Sequence, residues 1–128
     1  MKVNQKELES VLKLDAPKRY NYFIKKVVDF EICYALFKDG WIIVATSDNQ
    51  IAFPLWPLQE YAEICKSGEW ENAEIVAIPL DELINQLLPS LEKDNISTAI
   101  FYTPENKGVV VSCIQLKNDL REEIKKYL

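Results

Sequence analysis

The three cysteines, Cys33, Cys65 and Cys113, are the strongest nucleophiles this sequence offers. A thiol attacks as its thiolate, which needs a histidine, a lysine or a helix N-terminus to lower its pKa. The chain contains no histidine. That excludes triads with an imidazole base, histidine metal ligands and imidazole proton shuttles. Cys113 is expected in the first turn of a helix, where a thiolate is favoured. Cys65 falls on an apolar helical face and Cys33 at a strand start, positions suited to small buried hydrophobes. The set is odd in number, widely spaced and without a C-x-x-C pair, so reduced thiols and a cytoplasmic location are expected.

Carboxylate pairs occur at Glu7/Glu9, Asp81/Glu82 and Glu122/Glu123. Acid–base or glycosidic chemistry needs two carboxyls facing each other across a cleft. Near neighbours on one helix diverge instead, and first-turn acids are accounted for by the helix dipole. The loop at 103–108 has one glycine and one lysine and lacks the spacing of a phosphate-binding loop. With 3 glycines in the whole chain, such loops have little to be built from. No catalytic residue, metal ligand or cofactor is expected, and the chain does not read as an enzyme.

Aromatic residues remain. Pro54-Leu55-Trp56-Pro57 has the form of a rigid docking surface, because tryptophan concentrates binding energy at interfaces. The competing reading is a strand-to-helix corner in which Trp56 packs over the sheet edge. Trp70 follows Gly68-Glu69 and is either a half-exposed anchor or a pin for its loop. Trp41, just after a turn glycine, is expected to start a buried strand. Trp56, Trp70, Pro54, Pro57 and Tyr102 are therefore the candidate interaction residues. The functional expectation is a non-enzymatic interaction or regulatory module of immunity or adaptor type, with another protein or a second copy as partner. The alternative is a small-ligand-binding protein, or an unconventional enzyme, in which Asp39, Tyr102 or a cysteine converges with other polar groups.

Charge narrows the partners. A formal net charge of −5 and a pI near 4.8 repel nucleic acid and anionic membranes, and neither is expected as a partner. Lys18-Arg19, Lys25-Lys26 and Lys125-Lys126 lie in expected helices among acids and apolar residues, as solvated faces do. The longest apolar run, 41–45, is far too short to span a bilayer, and 1–14 lacks the form of a signal peptide.

The elements that must position these residues read as one α+β domain over 1–128, a mainly antiparallel sheet of about five or six strands with four or five helices packed on it. Asn4 with Glu7 forms a capping box for a first helix. Asp15 caps a second, with Pro17 in its first turn and Tyr20, Phe23, Ile24, Val27 and Phe30 as its apolar face. Strands at 33–38 and 41–47 flank the turn Asp39-Gly40, and a polar turn at 47–50 leads to a third at 51–55, together an antiparallel meander. The middle strand is apolar on both faces, so both should be covered. Leu58, Tyr61, Ala62 and Cys65 repeat as a short helix, 75–78 reads as a strand, and 80–91 as a helix that Pro89 should kink or end early. Strands at 97–102 and 109–111 precede a last helix, capped by Ser112 and Gln115, with Cys113, Leu116, Leu120, Ile124 and Tyr127 on its inner face.

The ordered segments Arg19-Tyr20, Tyr22-Phe23, Asp39-Gly40-Trp41, Pro54-Leu55-Trp56-Pro57, Tyr61-Ala62, Gly68-Glu69-Trp70, Ile78-Pro79-Leu80-Asp81-Glu82, and Thr103-Pro104 with Lys107-Gly108-Val109-Val110-Val111 are distinctive as a combination. Together they resemble the bacterial family catalogued as domain of unknown function 2750 (DUF2750), over roughly 18–120. The resemblance implies a small standalone cytoplasmic protein and carries over no activity and no site residues. A looser likeness to secretion-regulator and immunity-type domains rests on the alternation of Pro-Leu strand ends with short helices, at the level of fold alone.

Overall fold

The computed structural model describes residues 4–46, 48–103 and 108–128. The expected turn at 47–50 and loop at 103–108 lie partly outside them, as does the start of the N-terminal segment. Each expected N-cap is made by its side chain. Asn4 Oδ1 accepts from Glu7 N at 2.7 Å, Asp15 Oδ1 from Lys18 N at 3.1 Å and Ser112 Oγ from Gln115 N at 3.1 Å. These caps satisfy helix-terminal N–H groups that would otherwise lack partners. They open α1 (Gln5–Leu12), α2 (Ala16–Phe30) and α5 (Cys113–Lys125). Between them run α3 (Gln59–Ile64) and a longer helical segment, α4, over 80–93.

Six strands among the described residues form two sheets, which makes the fold α+β. β1 (Ile32–Phe37) pairs antiparallel with β4 (Glu74–Pro79), from Ile32↔Pro79 to Phe37↔Glu74. The second sheet has the order β2 (Val44–Ala45), β3 (Ile51–Leu55), β5 (Ser97–Ile100) and β6 (Val109–Val111). β3 and β5 run parallel, so the sheet is mixed and "mainly antiparallel" is only roughly right. Tyr34 and Trp56 exchange backbone hydrogen bonds of 2.9 Å in both directions and join the sheets.

The expected meander is truncated. β1 gives one edge to β4, and on its other edge Tyr34 is taken by Trp56, which leaves only its end for the 41–42 segment. The turn does form, with Asp39 at φ 58° and Gly40 at φ 144°, but it closes a single bridge, Phe37↔Trp41. The middle strand is correspondingly short. It is also not covered on both faces: Trp41 is 42% and Ile43 43% exposed. Local hydrophobicity marks residues that can be buried, and whether an element arrives to cover them depends on the whole topology.

Pro89 does not end α4 early; it stands in the first turn of its last α-helical stretch. The segment passes from α-helix (Leu80–Glu82) through a π-turn (Leu83–Leu87) back to α-helix (Leu88–Lys93). A π-turn pairs residue i with i+5, and the Leu88 N–H accordingly donates to the Leu83 carbonyl just before Pro89. Leu80, Leu83, Ile84, Leu88 and Leu91 stay buried across the change in winding. They join Phe23, Val27, Leu36, Leu55, Trp56 and Leu116 in a connected core. No helix among the described residues is long and apolar enough to cross a membrane.

Candidate functional site

Three of the expected interaction residues converge, but around a backbone oxygen rather than on an open surface. The Tyr102 carbonyl accepts from Trp56 Nε1 at 2.6 Å and from Cys65 Sγ at 3.3 Å. The Trp70 ring packs on the Tyr102 ring with centroids 5.4 Å apart. Trp56 is fully buried, and Pro54 and Pro57 are buried beside it. The docking-surface reading of Pro54, Trp56 and Pro57 is therefore corrected. A tryptophan whose indole N–H is satisfied inside the core, and whose backbone joins two sheets, is a structural post. Trp70 and Tyr102 remain half-buried and are the part of this corner that meets solvent.

The corner is tightly constrained. Phe101 has φ 61°, a left-handed conformation that costs a non-glycine residue about 1–2 kcal/mol. Its ring is fully buried against Tyr61, 4.7 Å away, and Tyr22, 6.0 Å away. Gly108, at φ 81°, approaches so closely that a Cβ there would lie 2.7 Å from the Ile100 carbonyl oxygen.

Of the groups named by the ligand-binding or enzymatic alternative, Cys65 meets Tyr102 through its backbone carbonyl. Asp39 is exposed on its hairpin. All three thiols are buried and held towards their neutral forms. Burial pushes Cys33 upward, raises Cys65 to about 11, and together with the charge of Glu92 raises Cys113 to about 11. The expected thiolate-favouring position of Cys113 is thus overridden, and its Sγ donates to the Ile96 carbonyl at 3.2 Å. A second cluster joins α1, α2 and α3: Tyr22 Oη donates to Glu7 Oε2 at 2.8 Å and lies 3.1 Å from Tyr61 Oη. Burial is the main cause that raises both phenols, Tyr61 to about 12 against the lowering effect of its hydrogen bond with Tyr22. Among the described residues no group of three or more metal-ligating side chains comes together.

Two features escaped the reading of the sequence. Arg19, 3% exposed, donates from Nη1 to the Leu14 carbonyl at 2.8 Å, while its buried Nε and Nη2 have no partner among the described residues. The second is an apolar surface centred on Trp41. Trp41 and Ile43 lie on the segment that runs from the Asp39-Gly40 turn into β2, where Ala45 pairs with Ile51 and Val44 with Ala52 of β3. Trp41 packs edge-on against Phe37 and tilts over Phe53, both at 5.4 Å. Phe53 is buried beneath, while Phe37 (37%), Trp41 (42%), Ile43 (43%) and Ile51 (39%) face solvent. A cleft beside Trp41 runs between β4 and α4, with Val76, Ile78 and Leu87 in its walls.

The chain is thus a mixed-sheet α+β domain with buried thiols, a hydrogen-bonded tyrosine pair between helices and an exposed apolar face at Trp41. The comparison with protein families gives the narrower assignment. The chain belongs to the family described as protein of unknown function (DUF2750), whose model matches residues 20–120. No curated protein and no solved structure gives a significant match.

Proposed function

We propose that this chain is a non-enzymatic protein-interaction module of the cytoplasm, an adaptor or immunity-type domain, and that its contact surface is the Trp41 face. The observation that carries this reading is the set Phe37, Trp41, Ile43 and Ile51, four large apolar side chains more than a third exposed on β1, β3 and the segment leading from the Asp39-Gly40 turn into β2. Scattered apolar residues on a surface need no account, whereas a contiguous aromatic and aliphatic patch marks a contact site. Tryptophan supplies much of the binding energy where it can be enclosed by a partner. The raised thiols of Cys65 and Cys113 support the non-enzymatic part, because neutral buried thiols are poor nucleophiles.

The test is a photo-crosslinking side chain at position 41 in the native cell, with exposed position 121 as the control. A discrete product at 41 that is absent at 121, and weakened by Ile43→Asp, is the expected result. Light scattering of the purified chain then separates self-association from a different partner. Identical crosslinking patterns at 41 and 121 would overturn the reading.

A further inference from the structure

A second concave surface lies on the opposite flank of α4 from the Trp41 cleft. It is a groove of about 900 Å³ between the C-terminal end of α2, the β4–α4 junction and the last turns of α5. Its apolar side chains include Leu80, Ile84 and Ile124, and its exposed carboxylates are Asp29, Glu31 and Asp81. Among the described residues no lysine or arginine lines it.

The negative charge is concentrated against local preference. The C-terminus of a helix carries partial negative charge and is stabilised by basic side chains. The last turn of α2 has none, and Asp29 and Glu31 stand there instead. The position is also rigidly built. Glu31 caps α2 at φ 58°, its N–H donates to the Val27 carbonyl, and its own carbonyl accepts from Leu80 N at 2.9 Å. That bond fixes the end of β4 against the end of α2. The π-turn of α4 contributes Ile84 and Asn85 to the wall, and such turns occur frequently at functional sites.

We propose that this groove binds a basic peptide segment of a partner protein, with one or two apolar side chains against Leu80, Ile84 and Ile124 and lysine or arginine against Asp29, Glu31 and Asp81. Charge complementarity selects the occupant: an acidic segment would meet three carboxylates and a helix C-terminus, whereas a basic one neutralises all four. The inference rests on the interaction-module reading but uses a different face, so the two can fail separately.

The experiment titrates the isotope-labelled full chain with a short amphipathic Leu/Lys peptide, and with its Leu/Glu counterpart, by NMR. The Lys peptide is expected to shift the amides of Val28, Leu80, Ile84 and Ile124, with the Glu peptide inert. Asp29→Lys/Asp81→Lys, at two exposed positions, should weaken the Lys peptide by about tenfold or more. Trp41→Ala should leave it unchanged. The spectra themselves report whether each variant is folded. Shifts that fall on the Trp41 face, equal binding of the two peptides, or unchanged affinity in the charge-reversed variant would overturn the proposal.

Discussion

Trp41 and Trp56 follow one another by fifteen positions, both beside turn-forming residues, and end in opposite environments. Trp56 is enclosed because its backbone bridges to Tyr34 and its indole reaches the carbonyl of Tyr102, 46 residues away. Neither contact is local. Arg19 departs from expectation for the same reason. In the helix pattern it stands among charges, yet it is buried with Phe23 and Val27, and among the described residues its guanidinium makes a single hydrogen bond. A buried guanidinium with two unpartnered nitrogens carries a desolvation cost that one carbonyl does not offset. Arg19→Met, similar in length and apolar, should therefore raise stability by about 1 kcal/mol or more, read as a higher urea midpoint at unchanged slope. A clear loss of stability would mean that the Leu14 bond outweighs the buried charge.

At the scale of elements, the β5–β6 connection turns on Gly108. Its φ of 81° strains any other residue, and a Cβ would press on backbone atoms of Ile100 and Tyr102, which cannot swing aside as a flexible side chain can. Gly108→Ala should cost about 2 kcal/mol, from left-handed backbone strain plus the shift needed to relieve the clash. Denaturant unfolding checks it, and a cost near zero would mean that the strand ends are not held as closely as the geometry requires. The helices were legible in the sequence, since capping and apolar periodicity act within one or two turns. Asn4, Asp15 and Ser112 were recognisable as caps before any tertiary contact was known. The parallel β3–β5 pairing and the bridge of Tyr34 to Trp56 were not, because register across distant segments leaves no local mark. The candidate surface was not legible: Trp41 reads as the start of a buried strand, and which indole faces solvent was decided by those distant pairings.

For the whole molecule, the common property of the buried thiols and phenols is that burial favours their protons. Unfolded thiols ionise from about 9 and phenols from about 10, whereas folded Cys65 and Cys113 hold their protons to about 11 and Tyr61 to about 12. Tyr20, Tyr22, Tyr34 and Cys33 are raised in the same direction, chiefly by burial. Between the unfolded and folded values the unfolded chain binds fewer protons than the native one, so stability must fall as pH rises. Their contribution is fully present below the unfolded pKa and is lost through the folded one. The urea midpoint should thus decline from about pH 9 upward, first over the thiol window and then over the phenol window. Cys65→Ala/Cys113→Ala should flatten the first part of that decline, and Tyr22→Phe/Tyr61→Phe the second. A midpoint that holds constant to pH 11 in the unaltered chain would contradict the buried, hydrogen-bonded state of these groups.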